Sequence, residues 1–219
     1  MHFSVITPTP GLEHEAVRQL LPGAYTEHQW LWRFFPSEAG TARDHIFRRT
    51  DQGQAMRFYV VSKRPPVAFS DAWSVRTRPY APRLQNGDEL EFELRANPVV
   101  TRRHEDGKSR RHDVVMDAKT RAKTEGSQPA TGYSLVRSAC TTWLSQQGEQ
   151  HGFQVDEASL SVDGYIQHVA KEDQLRFSSV DFRGGLRVTD QDAFSAMLAS
   201  GLGHAKAFGC GLMLVRRPL

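Results

Sequence analysis

The alternation of hydrophobic and polar residues along the chain follows both the two-residue period of strands and the 3.6-residue period of helices. Strands are predicted at Phe3–Thr7, His45–Arg49, Met56–Ser62, Ser74–Pro79, Glu89–Val100, Ala158–Val169, Leu175–Val188 and Leu212–Val215. Helices are predicted over Leu12–Leu21, from Thr26 to just before Pro36, weakly before Trp73, over Ser134–Gln147, and after a Thr189-Asp190 start. The polar stretch Asp117–Gly132 is predicted to be a flexible connection. The pattern therefore predicts an α+β protein.

The order of these elements approaches βαββαβ twice in succession. That order is the ferredoxin-like, or RRM-like, plan. Asn86-Gly87-Asp88 is the strongest turn signal near the middle of the chain. We therefore expect two tandem ferredoxin-like domains, residues 1–87 and 88–219.

The composition of the 219 residues is that of a globular protein, with 39% hydrophobic residues. Apolar runs such as Phe58–Val61 are far too short to span a bilayer, and the start of the chain lacks a signal-peptide pattern. We expect a cytoplasmic protein with no membrane partner. Cys140 and Cys210 are far apart and fit core thiols, and no histidine pair has metal-ligand spacing. We thus expect neither a metal nor another cofactor.

A glycine-rich loop lies within Gly201–Leu214, between the last predicted helix and the last strand. Nucleotide-binding glycine loops run the other way, from strand to helix, so no nucleotide cofactor is expected. Glycines let a backbone pass close to a bulky partner, and side chains on the same loop supply donors for a phosphate chain. The candidate RNA-binding residues here are Gly203, His204, Lys206, Gly209 and Gly211. A helix C-cap with a tight turn is the alternative.

His28 is the candidate catalytic residue, and it follows a capping-box pattern, Thr26-x-x-Gln29. A helix starting at Thr26 places His28 in the first turn, where the helix dipole favours a neutral imidazole. Tyr25 and Arg33 would bring a phenol and a cation to the same phosphate. RNA carries its own nucleophile, the 2′-hydroxyl, so cleavage needs a base, an acid and charge stabilisation but no metal-activated water. The alternative is a surface histidine on an amphipathic helix.

Residues 101–112 are strongly basic and follow directly on a half-buried strand. Arginines on a hairpin can pair phosphates of an RNA backbone, and a solvated hairpin is the alternative. The candidate RNA-binding residues are Arg102, Arg103, Lys108, Arg110 and Arg111. This clustering, with a sequence pI of about 9.0, is consistent with a polyanionic partner.

Three stretches resemble the CasE endoribonucleases of the type I-E CRISPR Cascade complex, a group of repeat-associated RNA-binding proteins. They are Tyr25–Phe47, with Ala42-Arg43-Asp44 before a strand, the Leu94–Val99 strand, and the Gly201–Leu214 loop. The resemblance implies that His28 is the catalytic histidine and Tyr25 its aromatic partner. It further implies that a hairpin of the second domain, with Lys171 and Arg176, enters the base of an RNA stem.

The function implied by this resemblance is metal-independent cleavage of CRISPR precursor RNA at the base of repeat hairpins. The products would carry a 5′-hydroxyl and a 2′,3′-cyclic phosphate, and the mature crRNA would be retained for assembly with the other Cascade subunits. A non-catalytic RNA-binding subunit of a CRISPR ribonucleoprotein is the alternative. It would use the same loop and arginines but would not need His28.

Overall fold

The structure is a computed structural model that describes residues 1–20, 23–38, 40–52, 55–124, 126, 132–170 and 175–218. It is a mixed α and β fold in which all strand pairs are antiparallel. The helices are α1 (Glu13–Gln19), α2 (Ala24–Trp32), α3 (Val114–Thr124), α4 (Gly132–His151) and α5 (Gln191–Ser200). The strands are β1 (His2–Pro8), β2 (His45–Gln52), β3 (Ala55–Ser62), β4 (Trp73–Pro79), β5 (Glu89–Ala96), β6 (Val99–Arg103), β7 (Ser109–Asp113), β8 (Phe153–Val155), β9 (Ser161–Ala170), β10 (Leu175–Val188) and β11 (Met213–Arg216).

The first sheet has the strand order β2-β3-β1-β4. Alternate residues of β3 point to opposite faces, so Phe58 and Val60 join the core under α1 and α2 while Val61 faces the other way. Leu31 and Phe34 pack into the same core from the end of α2. This packing anchors α2 across the sheet and fixes the direction of its exposed side chains.

The second sheet has the order β11-β5-β10, and the long strand β10 pairs with β8 near its end and with β9 along its first part. The alternation predicted for β5 is present, because Leu90, Phe92, Leu94 and Ala96 are all buried. Helices α4 and α5 cover the core of this sheet. The hairpin β6–β7 forms a separate two-stranded sheet.

The two sheets meet at a seam that is both apolar and ionic. Ile46, Val61 and Leu212 form a small buried cluster across it. The buried guanidinium of Arg48 on β2 lies 3.6 Å from a carboxylate oxygen of Glu93 and 3.7 Å from one of Asp181. A charge this deeply buried is costly when unpaired, so the two acids of the second sheet hold β2 in place.

The described residues correct four predictions of secondary structure. Residues 63–72 form bends and a turn instead of the weak helix predicted before Trp73. Much of the predicted connection 117–132 is helix, because α3 runs from Val114 to Thr124; residues 125 and 127–131 lie outside the described part. The strand predicted to run to Val100 ends at Ala96, since Pro98 has no amide hydrogen for a ladder. The short strand β8 was not predicted.

The predicted turn, the start of the last helix and the core thiols are confirmed. Residues 86 and 87 form a turn, and the Asp190 carboxylate caps α5 by accepting from the backbone amides of Asp192 and Ala193. Cys140 and Cys210 are buried and free, and burial raises the pKa of each thiol to about 12. Among the described residues, no helix is long and apolar enough to cross a membrane.

Candidate active site

Helix α2 carries His28, but it begins earlier than the capping-box pattern predicted. The helix starts at Ala24 after Gly23, and the Thr26 hydroxyl donates to the Gly23 carbonyl at 2.8 Å instead of capping the helix. His28 therefore lies in the second turn. The predicted capping box is wrong, and the helix dipole contributes little at this position because its effect fades within the first turn.

The imidazole of His28 is held between aromatic rings. The Trp32 indole Nε1 donates to His28 Nε2 at 3.3 Å, and the Phe208 ring meets the imidazole nearly edge-on, with centroids 5.7 Å apart. Because an indole N–H only donates, Nε2 must be the unprotonated nitrogen and Nδ1 carries the hydrogen of the neutral ring. Nδ1 is buried and has no hydrogen-bond partner among the described residues.

Burial and a neighbouring cation lower the pKa of His28. Desolvation is the larger cause, the positive charge of Arg43 is the second, and the backbone of Ala207 partly offsets both. A histidine whose pKa lies below its ordinary value of 6.5 is mostly neutral at pH 7. The lowered pKa leaves His28 able to accept a proton, with burial and Arg43, and not the helix dipole, as the cause.

The charge of Arg43 acts on this histidine, and a second cation, Lys206, lies near Arg43 on another part of the chain. Arg43, in the segment before β2, is half-buried, and Lys206 lies on the glycine-rich loop, where its Nζ donates to the Ser200 carbonyl at 2.9 Å. Burial lowers the pKa of both groups, and the charge of Arg43 lowers that of Lys206 further. In the sequence, Arg43 stands out only as part of the Ala42-Arg43-Asp44 motif. Its position beside His28 was not predicted.

The other two predicted catalytic residues have different surroundings. Tyr25 lies one turn before His28, on the same helix face, and its hydroxyl accepts from the Gln29 side chain at 3.4 Å. Arg33 is exposed, and its guanidinium lies 3.7 Å from the centre of the Phe69 ring. The predicted convergence of Arg33 with His28 is therefore absent, because five residues turn a helical side chain to another face.

The glycine-rich loop closes on itself and directs a 3₁₀ turn, Lys206–Phe208, towards α2 and β2. The backbone amide of Leu202 donates to the Gly211 carbonyl at 2.8 Å, and that of Gly211 donates to the Arg95 carbonyl at 2.7 Å. Gly211 has φ +90°, and a Cβ there would lie 2.6 Å from the Leu202 carbonyl oxygen. Gly203 and Gly209 also have positive φ. The cap-and-turn interpretation thus accounts for these glycines, and the loop meets His28 through the Phe208 ring and the backbone of Ala207.

An aromatic column extends from His28 into the second sheet. Phe208 stacks on Phe177 with centroids 5.2 Å apart, and Phe177 stacks on His168 at 4.5 Å. The Ser179 hydroxyl lies 2.8 Å from His168 Nε2 and holds that ring. No sequence pattern indicated this column, because its members come from distant segments. The column places partly exposed aromatic surface next to the histidine.

The basic hairpin reaches the glycine-rich loop. Arg111 Nη1 donates to His204 Nδ1 at 3.1 Å. Arg103 shares the Arg111 face of the hairpin, while Arg102 and Arg110 lie on the other face, and Lys108 lies in the connection just before β7. Arg102 pairs with Asp117 at 2.7 Å and Arg110 with Asp106 at 2.6 Å. The structure thus joins two of the predicted RNA-binding segments through one arginine.

The remaining predicted positions lie on the β9–β10 hairpin. Arg176 is exposed on β10, where it is paired with Val169 of β9. Lys171 lies outside the described residues. Among those residues, no group of three or more His, Cys, Asp or Glu side chains could hold a metal ion.

Fold and site together define an α+β protein in which a neutral histidine and two cations at a seam between sheets suit an anionic substrate. The chain belongs to the family of CRISPR-associated proteins, whose family model matches residues 1–217. It is 28% identical to the CRISPR system Cascade subunit CasE of Escherichia coli (strain K12), over 86% of this chain and 89% of that protein. It is 25% identical to the CRISPR-associated endoribonuclease Cse3 of Thermus thermophilus, over 91% and 93%.

A solved structure of the CRISPR endoribonuclease Cse3 bound to a 19-nucleotide RNA has a similar fold. Its TM-score is 0.69 at 22% identity, with 98% of each chain covered.

Proposed function

We propose that this protein is a metal-independent endoribonuclease that cuts CRISPR precursor RNA at the base of its repeat hairpins. The observation that carries the proposal is the neutral His28 beside Arg43, which has Lys206 as a neighbour, in a chain whose family is CRISPR-associated. The similarity to proteins named Cascade subunit CasE and endoribonuclease Cse3 supports the same activity.

The reaction needs a base, an acid and a group that stabilises the charge of the transition state, and the site holds candidates for each. His28 Nε2 takes the proton of the RNA 2′-hydroxyl, and the 2′-oxygen then forms a bond to the adjacent phosphorus. The bond from phosphorus to the 5′-oxygen breaks, and that oxygen takes up a proton, for which Tyr25 and Lys206 are the candidate donors. The products are a 2′,3′-cyclic phosphate and a 5′-hydroxyl. The 2′-hydroxyl must displace the Trp32 indole from Nε2, and the length of that hydrogen bond, 3.3 Å, makes the exchange easy.

The RNA stem is bound by the basic hairpin and the glycine-rich loop, which meet at Arg111 and His204. The deep major groove of A-form RNA is closed to side chains, so recognition rests largely on shape and phosphates. Arg176, exposed on the β9–β10 hairpin, contacts the base of the stem. The mature crRNA stays bound, and the other Cascade subunits assemble on it.

We further propose that the two sheets belong to two tandem ferredoxin-like domains, residues 1–87 and 88–219. The strand order of the first sheet is the second, third, first and fourth strand of that plan, and β9-β10-β5-β11 has the same order. In the first domain the second helix of the plan is replaced by the bends and turn of residues 63–72.

Cleavage of a cognate repeat hairpin in EDTA tests the activity. Wild-type protein should cut an RNA hairpin and leave one with a 2′-deoxy residue at the cut site intact. His28→Ala should bind both hairpins normally and cut neither. A wild-type protein that binds the RNA hairpin without cutting it would instead support the non-catalytic RNA-binding subunit. Cleavage that EDTA abolishes would contradict the metal-independent mechanism.

A further inference from the structure

Arg43 differs from four arginines around the seam that lie against carboxylates, because no carboxylate among the described residues pairs with it. Arg48 and Arg95 lie against Asp181, Arg49 pairs with Glu27 at 3.1 Å, and Arg64 pairs with a carboxylate at 2.8 Å. Arg43 is half-buried and makes no hydrogen bond or ion pair within the described residues. A guanidinium has five N–H donors, and here all of them are available to a ligand.

The groups that face Arg43 make its partly buried positive charge less favourable. Its charge acts on His28, His45 and Lys206, none of which is an acid. Asp44, the neighbour of Arg43 in the chain, pairs with Arg64, and Glu27 on α2 pairs with Arg49. Within the described residues no ion pair joins Arg43 to Glu38, the next acid along the chain. A partly desolvated cation beside a second cation is unfavourable until an anion enters.

Lys206 completes the arrangement from the opposite side of the seam. Its ammonium group gives one hydrogen to the Ser200 carbonyl at 2.9 Å and keeps two for a ligand. The glycine-rich loop fixes the backbone on which Lys206 is carried. Two neighbouring cations on separate elements, one of them beside the base, can bind a group that has several anionic oxygens.

We propose that Arg43 and Lys206 bind the scissile phosphodiester, and that Arg43 stabilises the negative charge that develops on its non-bridging oxygens. This inference rests on the proposed ribonuclease function and adds a residue and a role to it. The arginine fork matches phosphate geometry and donates from fixed positions, so its hydrogen bonds strengthen as charge accumulates in the transition state.

Arg43 has a second effect, which a purely structural residue would lack. The groups that face His28 are Arg43, Tyr25 on its own helix, His45 on β2, and the backbone of Ala207 on the loop. Of these, only Arg43 carries a permanent charge, and that charge lowers the pKa of His28. Removing it should raise the pKa of the base, and the acid limb of the cleavage profile should move to higher pH.

The test compares Arg43→Gln and Arg43→Lys with wild type in single-turnover cleavage at saturating protein. Arg43→Gln should cut about 10²- to 10³-fold more slowly, the range for loss of one transition-state donor. Arg43→Lys should recover part of the rate, and the acid limb of Arg43→Gln should lie at higher pH. The affinity of Arg43→Gln for the uncleavable 2′-deoxy hairpin should be less than about tenfold lower than that of wild type, because only one of several phosphate contacts is lost. Arg187→Gln is the matched control, since Arg187 is exposed and paired with Glu89.

Thermal unfolding separates this site from a structural role. Arg43→Gln should be at least as stable as wild type, since it removes an unpaired, half-buried charge. Inorganic phosphate should raise the melting temperature of wild type and Arg187→Gln more than that of Arg43→Gln at equal ionic strength. The proposal is overturned if Arg43→Gln cuts like wild type, unfolds several degrees earlier, or responds to phosphate like wild type. If wild type binds the hairpin without cutting it, the ribonuclease function fails, and the phosphate response alone decides whether Arg43 forms an anion site.

Discussion

Replacing His45 by phenylalanine should flatten the dependence of protein stability on pH. His45 is only 3% exposed, and its ring stacks on Phe35 with centroids 4.3 Å apart. Burial lowers its pKa to about 4, with Arg43 and His28 acting in the same direction and Asp44 opposing. Between pH 6.5 and pH 4 the unfolded chain binds a proton that the folded chain does not, so stability falls as the pH falls through this window.

The size of the effect follows from the two pKa values. Linkage between an unfolded pKa of 6.5 and a folded pKa of about 4 removes about 2 kcal/mol of stability between pH 7 and pH 5. In a chain of this length that loss lowers the melting temperature by about 4–8 °C. At a pH well above 6.5 both states are neutral at this position, and His45 then contributes no pH dependence.

Melting temperatures measured from pH 4.5 to pH 7.5 provide the assay. Phenylalanine keeps the ring stacked on Phe35 but cannot titrate, so the variant should lose most of this slope. The control is His14→Phe, which makes the same chemical change at an exposed position of α1. If His45→Phe keeps the wild-type slope, or if His14→Phe removes it, burial of His45 does not control the pH dependence.

Three further substitutions test other parts of the structure. Trp32→Phe removes the indole hydrogen that fixes the acceptor nitrogen of His28, so single-turnover cleavage should slow on the order of 10-fold and its acid limb should move to higher pH; an unchanged profile would contradict this role. Arg111→Gln should weaken hairpin binding in a filter assay more than Arg110→Gln, since Arg110 is already paired with an acid; equal losses would contradict the assignment of faces. Gly211→Ala should lower the free energy of unfolding in urea by at least about 2 kcal/mol, because its φ is +90° and its Cβ would meet a backbone carbonyl; a loss near zero would contradict that contact.

The strands could be predicted from the sequence where one face is buried and the other is not. The alternation of Leu90, Phe92 and Leu94 with glutamates is unambiguous, and β5 lies where it predicts. Helix α3 was missed because its residues after Met116 are mostly polar, with only two alanines among them, and carry no stripe of large apolar side chains. The Thr26 pattern misled because threonine three residues before glutamine also occurs inside a helix, where its hydroxyl bonds back to a preceding carbonyl.

The candidate site could be predicted only in part. His28, Tyr25 and Lys206 were identified as candidates from residue type and local pattern, and their roles remain proposals. Arg43 could not be singled out, because its distinguishing property is the absence of a partner among the described residues, and partners are defined only in the folded chain. Arg33 is the opposite case, because it lies near His28 in the sequence but its guanidinium lies against the Phe69 ring in the folded chain.

The site is assembled from residues that lie far apart in the sequence, and this has a consequence for synthesis of the protein. His28 and Arg43 leave the ribosome early, whereas Lys206 and Phe208 are added about 160 residues or more later. A nascent chain that has folded only its first sheet exposes the histidine without its opposing lysine and aromatic ring. Ribosome-bound intermediates should therefore be inert towards cellular RNA, and the site would be completed only after the glycine-rich loop has been translated.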